Sequence, residues 1–178
     1  AYEISTRDWS SDVCSSDLPR DIKPANILLD QVRDVVKVTD FGVAYLADAE
    51  RSRSGLLLGT PLYQAPEQLL GIGVDGRCDI YALGAVLFEL LAGRPPLQGG
   101  SLGELMTQIA WREAPALSTL RPELPPLLSD VLARTLAKRP HDRHGNAAQL
   151  GRELRVIGRA WACADREAPV LAQGTMAD

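Results

Sequence analysis

A run of thirteen nearly apolar residues, from Ile80 to Ala92, most constrains how this chain can fold. Glu89 is its only charged residue. As an α-helix the run would be about 20 Å long, at ~1.5 Å per residue, which is too short for the ~30 Å hydrocarbon core of a membrane. A helix that is apolar on all sides and cannot span a bilayer lies inside a protein. The sequence therefore predicts a globular body around this helix, without a membrane segment in this chain.

Shorter patterns surround the central helix and define the predicted fold class. Two β-branched or apolar runs, 27–29 and 35–38, are separated by turn-forming residues and predict a hairpin. The rest of the chain after Pro19 is predicted to be mainly helical. The expected helices are 66–70; a central helix capped by Asp79 and ending at Gly93; a helix from the capping box at Ser101 to about Trp111; one through Leu128 and Leu136; and one through Leu150 and Ile157 that stops at Gly158.

Charge and cysteine content exclude several classes of function. The 23 acidic and 19 basic side chains give a net charge of −4 over 178 residues, which provides no basic field for a nucleic acid or an anionic membrane. The 3 cysteines form no C-x-x-C pair and are odd in number, so neither a disulfide framework nor a zinc site is predicted. We expect a cytoplasmic protein that does not bind nucleic acid.

The first eighteen residues differ from the rest of the chain. They contain five serines and isolated apolar residues with neither helical nor strand periodicity. Residues 4–18 closely resemble a peptide obtained when sequencing-adapter DNA is translated. We therefore expect residues 1–18 to be non-native and to carry no function; the alternative is a native, disordered polar tail.

Three short motifs occur in a fixed order after Pro19. They are residues 20–26 (RDIKPAN), 40–42 (DFG) and 65–67 (APE). Each is common by chance, but their order and spacing are specific. On these motifs the chain resembles a protein kinase, and in particular the bacterial serine/threonine kinases of eukaryotic type. The resemblance implies the helical C-terminal lobe of a kinase fold over residues 19–158, with a missing N-terminal lobe and a tail at 159–178.

The resemblance also assigns roles in phosphoryl transfer from ATP to serine or threonine hydroxyls of protein substrates. Asp21 corresponds to the catalytic base, and Lys23 to the lysine that contacts the γ-phosphate. Asn26 and Asp40 correspond to the Mg²⁺ ligands, which agrees with the preference of Mg²⁺ for oxygen donors. Thr60 corresponds to the threonine that bonds to the catalytic aspartate and lysine.

Further positions match regulatory and structural residues of the family. Arg20 corresponds to the arginine that receives a phosphate from the activation loop, and Ser52 and Ser54 are candidate acceptors. The alternative is that residues 51–54 are only a solvated loop tip. The remaining matches are structural: Glu67 and Arg143 correspond to a buried ion pair, and Asp79 to an aspartate that holds the backbone of the catalytic loop.

The sequence departs from the family at its N-terminal side. No glycine-rich loop or its lysine precedes Pro19, which itself replaces the usual histidine. We therefore expect this 178-residue chain to be a catalytically inactive fragment, although the resemblance implies that the gene of origin encodes an ATP- and Mg²⁺-dependent serine/threonine kinase. The full-length protein could be membrane-anchored through a region beyond residue 178, as in many bacterial relatives. Two other functions stay open: a pseudokinase or protein-docking module, and a phosphotransferase acting on small molecules.

Overall fold

The computed structural model describes residues 21–33, 35–39 and 61–167. In these ranges the fold is mainly helical, as predicted, with one two-stranded sheet. Short 3₁₀ turns occupy Pro24–Asn26 and Pro140–Asp142. The strands are β1 (Ile27–Asp30) and β2 (Val35–Val38), and the helices are α1 (Pro66–Leu70), α2 (Arg77–Ala92), α3 (Leu102–Trp111), α4 (Leu117–Leu120), α5 (Pro126–Thr135) and α6 (Ala147–Glu167).

The two strands form the predicted antiparallel hairpin. Its register pairs Ile27 with Val38 and Asp30 with Val35. At the turn, the Asp30 carboxylate accepts the backbone N–H groups of Val32 and Arg33, at 3.1 and 3.2 Å, which is a turn that aspartate side chains commonly form. The hairpin thereby brings the end of β2 beside the start of β1.

Helix α2 forms the centre of the core, which confirms the prediction from its apolar sequence. Ile80, Tyr81, Ala85 and Phe88 are all buried in the main cluster. Helices α4 and α5 pack against α2. Thr135 of α5 comes so close to Gly84 that a Cβ atom there would lie 2.5 Å from the threonine methyl group. Glycine at this position therefore sets how closely the two helices approach.

The predicted start of α2 is wrong. Asp79 is not the N-cap: the helix begins at Arg77 with Gly76 at the cap, and Asp79 lies buried in the first turn. The Asp75 carboxylate accepts the backbone N–H of Arg77 at 2.8 Å, so a residue outside the helix supplies the bond expected from Asp79. A carboxylate in the first turn is still favoured by the helix dipole. The end of α2 is as predicted, at Gly93 with φ 74°.

The remaining helices agree with the sequence except at the C-terminal side. Helix α3 begins at the predicted cap, where Ser101 Oγ accepts the Glu104 N–H at 3.2 Å. Helix α6 does not stop at Gly158 but continues to Glu167. An interior glycine costs only about 1 kcal/mol, and the residues that follow include alanine and arginine, which favour helices. Over the residues that the structure describes, none of the helices combines the length and apolarity needed to cross a membrane.

Candidate active site

The segment before β1 brings together three polar side chains predicted to act in catalysis. Lys23 Nζ lies 2.6 Å from Asp21 Oδ2. The Asn26 amide Nδ2 donates to the same carboxylate oxygen at 3.0 Å and to the Asp21 backbone carbonyl at 2.9 Å. The turn Pro24–Asn26 makes this possible, because it bends the chain back over five residues. The result is a compact polar cluster at the entrance of the hairpin.

The cluster leaves two oxygen atoms available. Both hydrogen bonds to the Asp21 side chain end on Oδ2, and both hydrogen bonds of the Asn26 side chain start from Nδ2. Within the described ranges, Asp21 Oδ1 and Asn26 Oδ1 therefore have no protein partner. Asn26 is buried, whereas the side chain of Asp21 keeps 30% of its exposure. An unbonded carboxylate oxygen thus belongs to a partly exposed side chain, and an unbonded amide oxygen to a buried side chain that is fixed through its Nδ2 atom.

The hairpin brings a second segment to this cluster. The Thr39 backbone N–H donates to the Asn26 carbonyl at 2.8 Å, so residues 13 positions apart in sequence lie side by side. Thr39 is the last described residue before the DFG motif. Asp40, the second predicted Mg²⁺ ligand, lies outside the described residues.

A buried ion pair lies between Glu67 at the start of α1 and Arg143 after the second 3₁₀ turn. The contact is bidentate, with Nη1–Oε1 and Nη2–Oε2 distances of 2.6 and 2.8 Å. The side chains are 5% and 0% exposed. Arg143 also donates to three backbone carbonyls, those of Arg77, Ala137 and Lys138. All five guanidinium N–H groups therefore have acceptors.

Tyr81 of α2 completes the surroundings of this pair. The Arg143 guanidinium lies over its ring, 5.0 Å from the centroid, and Lys138 Nζ lies 5.9 Å from the same centroid. Burial raises the pKa of the Tyr81 hydroxyl, so it stays neutral. Burial also lowers the pKa of Lys138 to about 8. The pair thus ties α1, the start of α2 and the segment after α5 into one unit.

The order of the motifs agrees with a comparison to known families. A sequence profile of the protein kinase domain matches residues 18–153. The chain belongs to the protein kinase family.

Several bacterial proteins are similar to this kinase domain. It is 43% identical over 142 residues to the serine/threonine-protein kinase Pkn1 of Myxococcus xanthus. It is 40% identical over 150 residues to the DNA damage-responsive serine/threonine-protein kinase RqkA of Deinococcus radiodurans, and 40% identical over 142 residues to the serine/threonine-protein kinase PknF of Mycobacterium tuberculosis. The matches cover 77%, 83% and 77% of this chain, but only 20%, 21% and 30% of the relatives. The chain therefore spans less than a third of the length of these three.

The structure places some of the predicted site residues of this kinase domain and not others. Asp21, Lys23 and Asn26 lie together, and Glu67 is paired with Arg143. Asp79 is buried, next to Cys78, whose Sγ lies 3.8 Å from Asp79 Oδ1; its role in holding the catalytic loop stays a prediction. The other predicted residues lie outside the described ranges: Arg20, Asp40, Ser52, Ser54 and Thr60.

Sequence reasoning missed one link between the segment after Thr60 and the core. The Tyr63 hydroxyl donates to Glu89 Oε2 of α2 at 2.6 Å. Burial and this hydrogen bond raise the pKa of Tyr63 to about 12. The sequence did contain a signal for this bond. Glu89 is the only charged residue in the apolar run of α2, and a charge in such a place needs a polar partner.

Proposed function

We propose that this chain is the helical lobe of a serine/threonine protein kinase whose complete form transfers the γ-phosphate of ATP to protein hydroxyl groups. The observation that carries the proposal is the cluster of Asp21, Lys23 and Asn26 at the entrance of the hairpin. Family membership supports it, since protein kinases use ATP and Mg²⁺ and act on protein substrates. The serine/threonine kinase names of the relatives support the type of hydroxyl.

Asp21 is positioned to act as the base. Its Oδ2 atom is held by Lys23 and Asn26, at 2.6 and 3.0 Å, so the carboxylate cannot rotate freely. Oδ1 then accepts the proton of the substrate hydroxyl while the hydroxyl oxygen bonds to the γ-phosphorus; the bond from that phosphorus to the β,γ-bridging oxygen breaks, and ADP leaves. A general base must come within hydrogen-bond distance of the proton that it accepts, and the open Oδ1 atom is available for that contact.

The residues present fit a divalent cation. Bound Mg²⁺ would neutralise negative charge on the phosphates. Asn26 would contribute Oδ1, because its Nδ2 atom is already used by Asp21, and an amide oxygen is a suitable ligand for Mg²⁺. Asp40 is proposed as the second ligand, supported by the hydrogen bond that places the preceding residue, Thr39, on the Asn26 carbonyl.

Lys23 supplies the positive charge for the transferred phosphate. Its ammonium has three N–H donors and the side chain is 41% exposed, so it can donate to an incoming anion while it keeps its contact with Asp21. In that position it stabilises the charge of the γ-phosphate. Thr60 is proposed to bond to Asp21 and Lys23 when a peptide is bound. Arg20 and a phosphate on Ser52 or Ser54 are proposed to control the order of the activation loop.

The test uses the protein expressed from the complete reading frame that contains this chain. Asp21→Asn should reduce transfer of labelled phosphate to serine and threonine by ~10²- to 10⁴-fold, the usual contribution of a general base. Asp30→Asn is the matched control: it makes the same change at the other end of β1, where asparagine can still accept the turn N–H groups. It should leave the rate nearly unchanged.

A docking module without catalysis is the second candidate function. It predicts no transfer by the wild-type protein and partner binding that Asp21→Asn does not alter. The available oxygens of Asp21 and Asn26 favour the enzyme, because a scaffold has no need of a metal ligand or a base. Transfer equal in wild type and Asp21→Asn would contradict the proposed role of Asp21.

A further inference from the structure

Helices α5 and α6 leave a groove between them that contains none of the predicted site residues. Its volume is about 490 Å³. Val131 and Ile157 form its apolar floor, and the adjoining Leu127 and Val156 are 64% and 68% exposed. Large aliphatic side chains gathered at one exposed groove mark an interaction surface more often than isolated ones do.

The rim of the groove carries four charged residues, of which only two are paired. Arg134 of α5 and Glu153 of α6 form an ion pair at 3.5 Å. Asp130 and Arg152 line the same groove, yet within the described ranges neither takes part in a side-chain hydrogen bond or ion pair. The groove therefore presents one unpaired carboxylate and one unpaired guanidinium beside a shared apolar strip.

We propose that the α5–α6 groove is a self-association surface that pairs with the same groove of a second copy about a two-fold axis. In such an interface a residue at one position faces its complement on the other copy, and the reverse contact follows by symmetry. Asp130 of each copy then faces Arg152 of the other. The groove is complementary to itself in charge, and a second copy matches both unpaired groups at once.

The C-terminal part of α6 enlarges this surface. Trp161 follows Ile157 by four residues, so it lies on the same side of the helix, and it is 44% exposed. Residues 158–163 are all exposed. A stable interface buries ~800 Å² on each partner, which is more than the groove alone offers. The protruding turns of α6 add apolar area along the same strip.

The test measures the association of the 178-residue chain by sedimentation velocity over a range of concentrations. The wild-type chain should show a monomer–dimer equilibrium. Asp130→Arg and Arg152→Asp should each raise the dissociation constant at least ~10-fold, because both symmetric contacts become repulsive. An equimolar mixture of the two variants should form a heterodimer, since both contacts then join opposite charges. This rescue also shows that the variants fold.

Two charge reversals outside the groove serve as matched controls. Arg94→Asp and Glu113→Arg change exposed residues that do not line it, and they should leave the dissociation constant within about twofold, as expected of remote surface changes. A wild-type chain that stays monomeric would overturn the proposal. So would association that neither groove reversal weakens, as expected for contact through the exposed hairpin, or a mixture no tighter than its components. No readout depends on phosphoryl transfer.

Discussion

Two carboxylate–cation pairs of this kinase domain, Lys23–Asp21 and Arg143–Glu67, have similar shortest distances but very different surroundings. Lys23 and Asp21 are 2.6 Å apart, with side chains 41% and 30% exposed. Arg143 and Glu67 are also 2.6 Å apart at their closest, but both are buried. In the first pair each partner keeps donor or acceptor capacity, whereas in the second the guanidinium has no free N–H group. The exposed pair can exchange its partners with solvent or solutes, whereas the buried pair can only hold the fold together.

The same contrast extends to the surrounding elements. The hairpin beside Asp21 leaves Leu28, Leu29 and Val36 more than half exposed. In contrast, Glu67 and Arg143 are almost inaccessible. Loss of one buried partner strands a charge, but loss of an exposed partner is compensated by water. Substitutions should therefore affect stability strongly near Arg143 and weakly near the hairpin.

The largest effect is expected for Arg143→Ala. The change leaves the Glu67 carboxylate and three carbonyl groups without their donor. Breaking one side of a buried pair costs about 3–5 kcal/mol, and the free energy of unfolding from urea denaturation should fall by that amount. Arg139→Ala removes a nearby exposed arginine and should change it by less than about 0.5 kcal/mol.

A double variant separates the cost of the unpaired charge from the cost of the lost hydrogen bonds in the free energy of unfolding. Glu67→Met with Arg143→Met removes both charges, so it should recover part of the stability lost in Arg143→Ala. Recovery should be incomplete because the carbonyls of Arg77, Ala137 and Lys138 still lack a donor. If Arg143→Ala were no less stable than Arg139→Ala, the contrast between the two pairs would be wrong.

The next effect is expected at the contact of α2 with α5. Gly84→Ala places a methyl group 2.5 Å from the Thr135 methyl carbon, and overpacking of this kind costs about 1–3 kcal/mol. Gly103→Ala is the matched control in α3, because no atom lies within 4 Å of its new Cβ. It should stabilise the chain by about 0.5–1 kcal/mol, since alanine favours helices. Thermal denaturation of both variants gives the comparison, and equal signs would contradict it.

A smaller effect is expected from the pH dependence set by Lys138. Burial lowers its pKa from 10.5 to about 8 in the folded chain. Between these values the unfolded chain binds more protons, so the free energy of unfolding should rise with pH from about 8 to about 10. The partial exposure of the side chain limits the rise.

Two lysine variants test this assignment. Lys138→Met should flatten the rise, because it removes the group that titrates, whereas Lys37→Met in β2 should retain it. Denaturant unfolding at successive pH values measures both. The same slope in wild type and Lys138→Met would assign the dependence to another group.

The sequence was sufficient where a local pattern or a fixed spacing determines structure. The hairpin and the buried α2 were predicted from the sequence, because alternating, apolar and turn-forming residues act over short distances. The grouping of Asp21 with Asn26 was expected from the family resemblance. The pairing of Glu67 with Arg143, 76 positions apart, could be anticipated only through the family resemblance. No periodicity encodes a contact at that separation.

The errors have physical causes of the same kind. The start of α2 was misplaced because two aspartates lie near it, and only the structure shows that Asp75 rather than Asp79 supplies the bond. The end of α6 was misplaced because a single glycine is a weak stop when good helix formers follow it. The Tyr63–Glu89 bond depends on how a loop crosses a helix 26 residues away.

The smallest effect is expected in the hairpin. Leu29 is 59% exposed and faces Val36 across the sheet, so Leu29→Ser should change the free energy of unfolding by less than about 0.5 kcal/mol. Leu132→Ser in α5 makes the same change where the side chain is buried and should cost several times more, because it leaves a cavity and a polar group inside the core.

Native-state hydrogen exchange adds a second measurement: the amides of β1 and β2 should open with lower free energy than those of α2, since few buried contacts hold the hairpin. Hairpin amides protected as strongly as α2, together with a large cost for Leu29→Ser, would show that the segment bearing Asp21 belongs to the rigid core.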